Sequence, residues 1–472
     1  MYELTIHLHS QSGVPLYEQI YSYIKKEIRS GQIKSGERLP STRSLCNHLG
    51  VSRSTVELAY EQLLSEGYVE AVPCKGYFVT ELEGLYEITR QMPGEAPKKE
   101  DRKQKYRYDF SPSGVDLNSF PYNTWRKLSK ECLVDDKAEM FRLGDPRGEF
   151  GLRNAISSYL HQARGVNCRP EQIIVGAGND YLLMLLTAVI GHEHKVALEN
   201  PTYRQAYRLF QNMSCEVCTV NMDDRGMKAD ELEKSGADIA FVMPSHQYPL
   251  GIVMPIRRRM ELLKWAERKP GRYLIEDDYD SEFRYKAKPI PALQGYDAGG
   301  KVIYIGTFSK SIAPSIRMSY MVLPEPVLKR YEERCSFISS TVSKVDQLIL
   351  QKFIEDGYYE RHLNKTRALY KNRHDVLMNC LKSMNLGFTV SGENAGVHLL
   401  LHFRNGMSEK ELIRRAADEG VKVYGLSGYY IEEEREAPPE EAVILLGYAN
   451  MSEEKIKEAA CLLEKAWKSS PS

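Results

Sequence analysis

Between residues 172 and 310 the chain alternates short apolar runs with helical stretches, and this alternation constrains the fold more than any other feature. The runs QIIVGAG, KVALENP, IAFVMPSH, RYLIEDDYD and KVIYIGTFSK are interleaved with segments such as DYLLMLLTAVI and TYRQAYRLF. Strands and helices that alternate in this way predict a parallel sheet covered by helices on both faces. Ligands of such sheets gather outside the carboxyl ends of the strands. From about Cys335 onward the pattern changes to long helices around two strand candidates, GVHLLLHF and AVILLGYA, which predicts a smaller α+β subdomain.

A chain of 472 residues, 42% hydrophobic and 27% charged, is too long for one ordinary core, so two or more globular domains are expected. Lys plus Arg and Asp plus Glu are both 64, so nucleic-acid contact has to come from local placement and not from overall charge. The nine cysteines are scattered, and the close pair Cys215 and Cys218 has no second pair at zinc-ligand spacing, so no metal site is expected and a reducing cytoplasm fits. The N-terminal residues lack a basic segment followed by an apolar core, and no apolar run approaches a membrane span; the expectation is a cytoplasmic protein without membrane contact.

The first eighty residues read as three helices and a hairpin. Leu16, Ile20, Ile24 and Ile28 form one stripe after Pro15, in a helix that runs out at Gly31. A second helix starts at Ser41, buries Leu45 and Leu49 and stops at Gly50. A third begins with Ser52 as cap, or with Ser54 and Glu57 as a capping box, and buries Val56, Tyr60, Leu63 and Leu64. Two helices across a short turn make a helix-turn-helix, and YVEAV and GYFV around Pro73-Cys74-Lys75-Gly76 supply a wing. Residues 81–107 are polar and basic, interrupted by Pro93 and Pro97, and read as a linker. Its Lys98, Lys99, Arg102, Lys103, Lys105 and Arg107 are either a solvated face or a nonspecific phosphate contact. The expected domains are thus 12–80, the linker 81–107, and 108–470.

A helix-turn-helix lays the amino end of its second helix in the major groove, and Ser52, Arg53, Ser54 and Thr55 occupy that end. Arg43 and Lys75, at the preceding helix start and the hairpin tip, are placed for phosphates on either side. The string LPSTRSLCNHLGVSRSTVELAYEQLLSEGYVEAVPCKGYFV resembles the GntR-type winged helix over residues 14–79. The resemblance implies binding of double-stranded operator DNA through Arg43, Ser52, Arg53, Thr55, Lys75 and Gly76.

The second half offers a different chemistry. Lys310 follows a strand directly, flanked by Thr307 and Ser309, with Arg317 seven residues on. Asp277 ends another strand and Tyr279 follows it; Gly178 and Asn179 lie between a strand and a helix whose backbone N–H groups can cradle a phosphate; Tyr203 can stack on a ring. An amine, a carboxylate, a phenol and phosphate donors are what pyridoxal phosphate requires. The order glycine loop, ENPTY, IEDDYDSEF, GTFSKSIAPSIR resembles fold-type I aminotransferases. With the N-terminal module it resembles the MocR/GabR subfamily of GntR regulators across residues 14–465. The resemblance implies that Lys310 carries the cofactor as an internal aldimine, that Asp277 pairs with the pyridine nitrogen, Tyr279 with the phenolic oxygen and Arg317 with the phosphate. It also implies a homodimer that exchanges its DNA-binding heads.

Two departures from the family pattern sharpen the expectation. SHQYPLG places Tyr248 in the slot where aminotransferases carry an asparagine near the cofactor's phenolic oxygen; His246 and Gln247 either substitute in the pocket or are structural. Gln205, Gly428 and Asn450 stand where the resemblance would place arginines that grip a carboxylate. A regulator sensing pyridoxal phosphate, an amine or an amino acid through Lys310 is therefore expected ahead of a working aminotransferase with an appended DNA-binding domain, for which Arg204 or a partner subunit would have to supply the missing charge.

Overall fold

The computed structural model describes residues 6–9, 13–81, 106–133, 138–285, 290–393, 395–431 and 442–468. The chain falls into two compact units, Met1–Lys103 and Gln104–Ser472. Most of the expected linker, including Lys98, Lys99, Arg102, Lys103 and Lys105, lies outside the described residues. Arg107 is described and pairs with Glu458 at 3.3 Å.

In the first unit, α1 (Leu16–Arg29) buries Ile20, Ile24 and Ile28. The Ser41 hydroxyl caps α2 (Thr42–Leu49), which ends at Gly50 in the left-handed conformation that glycine adopts without steric cost, φ 64°. The Ser52 hydroxyl caps α3 (Arg53–Ser65) by accepting the Thr55 N–H at 3.2 Å. The alternative box from Ser54 does not form, because Glu57 turns to Arg53 at 2.7 Å. Leu64, expected in the core, is 39% exposed: it lies at the edge of the stripe Val56, Ala59, Tyr60 and Leu63 that packs inward. The strands β1 (Val69–Val72) and β2 (Gly76–Val79) pair antiparallel with Val72 opposite Gly76, which leaves Lys75 in the turn. Ser52→Ala is expected to destabilise this unit by about 1 kcal/mol, the usual worth of an N-cap; a lowered unfolding midpoint of the helix-turn-helix signal checks it.

The second unit opens with the short strand β3 (Tyr108–Asp109) and then builds its large sheet. The sheet strands are β4 (Ile173–Gly176), β5 (Val196–Asn200), β6 (Val217–Asp223), β7 (Gly226–Met227), β8 (Ile239–Val242), β9 (Tyr273–Asp278), β10 (Val302–Thr307) and β11 (Ser319–Val322). Their order is β4-β11-β10-β9-β8-β5-β6-β7. From β10 through β9, β8 and β5 to β6 every neighbouring pair is parallel. The sheet is nevertheless mixed, because β11 is antiparallel to both β10 and β4, and β7 to β6. The segment from Lys310 to Arg317 contains no helical crossover, so the chain can only turn straight back, with Thr307 opposite Ser319. All five strands expected from the sequence still point the same way.

Alternate residues of these strands enter different cores, as a sheet buried on both faces requires. Ile174, Ile239, Phe241, Ile275, Ile303, Ile305 and Met321 pack on one face with Leu182, Leu186 and Phe210. Val175, Tyr304 and Tyr320 face Leu152, Ile156 and Phe353 on the other, beside a neighbouring cluster of Ala240, Leu274 and Trp265.

The smaller part is an antiparallel sheet of β12 (Phe388–Ser391), β13 (His398–Phe403), β15 (Tyr424–Gly425) and β16 (Ala442–Gly447), in the order β12-β13-β16-β15. A separate strand, β14 (Val421–Lys422), pairs in parallel with β3. The expected boundary near Cys335 is corrected. Cys335 and the helix Lys344–Glu355 pack into the large part, and the division runs through the 26-residue helix Tyr358–Ser383. Its Tyr359 and Leu363 belong to the large core, and its Tyr370, Leu377 and Leu381 to the small one. No helix among the described residues is long and apolar enough to cross a membrane.

Candidate functional site

A cavity of about 300 Å³ opens at the carboxyl ends of β9 and β10. Nine of the ten residues expected for cofactor binding line it: Asn179, Tyr203, Tyr248, Asp277, Tyr279, Thr307, Ser309, Lys310 and Arg317. The tenth, Gly178, stands behind Arg317. A Cβ on Gly178 would lie 2.4 Å from the Arg317 guanidinium, and its φ of 96° also favours glycine. Arg317 itself takes a left-handed conformation, φ 48°, the kind of local strain that persists where surrounding structure fixes a side chain. Ser113, Asp180, Met243 and Pro314 complete the lining and were not expected.

The electrostatics follow from burial. Asp277 is 6% exposed, and its carboxyl is pushed up to about 8, first by burial and then by the charges of Asp278 and Asp280. Asn179 Nδ2 donates to its Oδ1 at 3.1 Å and opposes that shift. Burial lowers the Lys310 amine to about 8, with the charge of Asp280 acting against it, and Nζ donates to the Ser113 carbonyl at 2.8 Å. The site thus contains an amine with accessible neutral form and an acid that keeps its proton to near-neutral pH, a pairing typical of functional pockets. Burial and then the charge of Asp280 keep the Tyr279 phenol far above its ordinary value, so it remains a donor.

The donor set fits pyridoxal phosphate. Ser309 Oγ and Asn179 Oδ1 are buried polar atoms with no partner among the described residues, and Arg317 makes only long contacts among them, to Asp180 at 3.3 Å and to the Ala177 carbonyl at 3.5 Å. Lys310 and Asp277 offer the amine and acid that the cofactor's aldehyde and ring nitrogen require. The Ala177 N–H, just before Gly178, donates to Thr341 Oγ1 at 3.0 Å. The orphan N–H groups available to an anion are those at the start of the helix Asn179–Ile190.

The positions expected to bear on carboxylate recognition stand away from the lining. Gly428 is exposed and its carbonyl accepts from Arg204 Nη1 at 3.0 Å. Exposed Gln205 accepts from the Tyr203 hydroxyl, and Asn450 Nδ2 donates to the Asp109 carbonyl at 3.1 Å. Tyr248 meets the hydroxyl of Tyr429 at 3.0 Å, a partner from the small subdomain that no local pattern in the sequence signals.

Three further carboxyls show the same effect of burial as Asp277: Glu199, Glu276 and Glu282 are each raised to about 7. Groups raised in the folded state above their unfolded values near 4 hold protons that the unfolded chain has released. Stability is therefore expected to fall as pH rises from about 5 to 8 in cofactor-free protein. The thermal midpoint across that range checks it; a rising midpoint would contradict the burial argument.

In the winged unit, Ser52, Arg53 and Ser54 are exposed at the amino end of α3 and Thr55 is half-buried beside them. Arg43 on α2 and Lys75 in the hairpin turn are exposed as well. Gly76 is half-buried and opens β2 at φ 109°, with the Arg38 guanidinium 3.3 Å from where a Cβ would sit. Arg53 pairs with Glu57 at 2.7 Å on the surface, where such a pair is worth little.

Known proteins agree with this division. Residues 16–79 match the family of bacterial regulatory proteins of the gntR type, and residues 114–462 match the aminotransferase class I and II family, whose members use pyridoxal phosphate. The chain is 40% identical to the uncharacterized HTH-type transcriptional regulator YdeL of Bacillus subtilis (strain 168), over 99% of this chain and 100% of that one. It is 31% identical to the probable rhizopine catabolism regulatory protein MocR of Rhizobium meliloti, over 98% and 95% of the two chains. The crystal structure of Pyrococcus horikoshii kynurenine aminotransferase superposes with a TM-score of 0.67 at 23% identity, over 78% of this chain and 92% of that one, a likeness of fold. A winged helix-turn-helix joined in one chain to an aminotransferase fold, with relatives spanning both parts, assigns this protein to the MocR/GabR subfamily of GntR-type transcriptional regulators.

Proposed function

We propose that the protein binds operator DNA through residues 12–80 and holds pyridoxal phosphate in the domain 108–470, and that it acts in the cytoplasm as a homodimer. It responds to the cofactor itself or to an amine or amino acid that reaches Lys310. The observation that carries this reading is the convergence of Lys310, Asp277, Tyr279 and Arg317 on one cavity in a chain that also bears a winged helix. The cofactor, when bound, supplies an aldehyde that captures amines. Lys310 is its covalent carrier, Asp277 holds a proton at the ring nitrogen, Tyr279 donates to the phenolic oxygen, and Arg317 with Ser309, Thr307 and the helix start at Gly178 and Asn179 binds the phosphate. Tyr203 and Tyr248 wall the ring.

Purified protein is expected to absorb in the visible, and borohydride is expected to fix the chromophore to Lys310. Colourless protein, or colour fixed elsewhere after Lys310→Ala, rejects the cofactor assignment. For DNA, Arg53→Ala and Lys75→Ala are each expected to weaken operator binding and to reduce the salt slope by about one contact; affinity indifferent to salt rejects the DNA interface. A second reading, an active aminotransferase, is favoured by the completeness of the Lys310, Asp277 and Tyr279 set. Rapid multi-turnover exchange between an amino acid and a keto acid would establish it.

A further inference from the structure

Residues 37–39 run along the edge of β2 that β1 leaves free. The Leu39 N–H donates to the Tyr77 carbonyl at 2.9 Å and the Val79 N–H to the Glu37 carbonyl at 3.0 Å, which sets Arg38 opposite Phe78. Facing residues of a ladder share a side of the sheet, and so do residues two apart on one strand. Leu39 is therefore turned into the core, where it is buried, and Arg38 rises on the outer side with Phe78 and Gly76.

On that side Gly76 makes room for a guanidinium. A Cβ at Gly76 would meet three atoms of Arg38, Nε at 3.3 Å, Nη2 at 3.5 Å and Cζ at 3.8 Å, so the planar group rests against the bare glycine at the end of the wing. Arg38 is exposed, and its guanidinium has no hydrogen bond or ion pair among the described residues. The acids close to it in the fold do not claim it. Glu37 accepts the Lys34 N–H at 3.1 Å, and Glu70, which faces Phe78 from β1, is exposed without pairing to Arg38. Lys25 and Arg53 of the same unit, by contrast, are paired with Glu66 and Glu57. Gly76 follows Lys75, which is exposed in the turn, so two cations share one end of the wing.

We infer that Arg38 is a further DNA contact: its guanidinium, seated on Gly76 at the end of the wing, takes a backbone phosphate next to the one held by Lys75. The inference rests on the DNA reading proposed above and extends it to a residue outside the helix-turn-helix. A guanidinium offers a phosphate two parallel N–H donors in a fixed plane. A long side chain already laid along the wing gives up little rotamer freedom when it binds. The place of Gly76 in the interface follows from the same geometry. It contributes no side chain, and its bareness is what seats Arg38.

The test is a salt titration of full-length protein binding a labelled DNA duplex of random sequence, because a phosphate contact does not depend on sequence. R38M, which keeps an apolar stem and removes the charge, is expected to flatten the dependence of log K on log salt by about 0.9, which at about 0.1 M salt is an affinity about eightfold lower. R38K is expected to keep the slope. K26M, which removes an exposed lysine from α1, is expected to leave the slope as it is; an equal flattening there shows an effect of net charge and overturns the contact. R38M with the wild-type slope, or R38K as flat as R38M, overturns it too. If R38M does not fold, R38Q is read in its place. Wild-type protein whose binding is indifferent to salt overturns the DNA reading itself.

Discussion

Asp277→Ala is expected to weaken pyridoxal phosphate binding about a hundredfold, close to the worth of a hydrogen bond to a charged group in a buried site. The reason lies in how Asp277 is held. Among the described residues its carboxyl is hydrogen-bonded by the Asn179 amide and by no cation, and burial with two neighbouring acids pushes it up to about 8. A ring nitrogen brought to it can share its proton, and binding then relieves the unfavourable burial of charge. Alanine leaves the nitrogen without a partner in a dry pocket. Asp277→Asn keeps the shape but does not stabilise a protonated nitrogen, so it is expected to bind with intermediate affinity and an altered band. Equilibrium dialysis against the free cofactor checks both, and wild-type affinity in Asp277→Ala would remove Asp277 from the site.

Arg164→Ala is expected to cost about 3–5 kcal/mol of stability, the largest effect in the domain, because it leaves a buried carboxylate unpaired. Arg164 and Asp278 have side chains 3% and 1% exposed and meet at 2.9 Å. The same guanidinium donates to Ser245 Oγ at 2.7 Å, and Asp278 also accepts from the Tyr304 hydroxyl at 2.6 Å. The pair therefore ties the end of β9 to β10 and to the SHQYPLG loop directly behind the cavity. Arg164→Met with Asp278→Asn, which removes both charges, is expected to recover much of the loss. Denaturant midpoints of the domain check this, and a double variant no better than Arg164→Ala would show that the loss is one of packing and not of charge.

Much of the fold was legible because it is written in local periodicity. The stripe Ile20, Ile24 and Ile28, the caps Ser41 and Ser52 and the run of apolar strands each depend on residues a few positions apart. What was missed depends on the return of the chain from a distance. β11 is four residues long and gives no alternation of its own; its place follows only from the turn after Lys310. Ser113 reaches Lys310 from 197 residues away and Tyr429 reaches Tyr248 from 181, and no spacing rule connects such positions. The residues proposed to hold the cofactor were recognisable because strand ends concentrate them. Gly396, which closes on the His246 ring from far along the chain, belongs to no such pattern and is met only through packing.

The pairing of β3 with β14 has a mechanical consequence. Tyr108 and Asp109, the first strand of the second unit, are registered on Val421 and Lys422, and the N–H of Arg107 donates to the Gly420 carbonyl. The start of the described second unit is therefore moored to the small subdomain, while Lys310 and Asp277 belong to the large one. Any rotation of one subdomain against the other about the long helix Tyr358–Ser383 would carry Arg107, Tyr108 and Asp109 along with the small subdomain and past the large one.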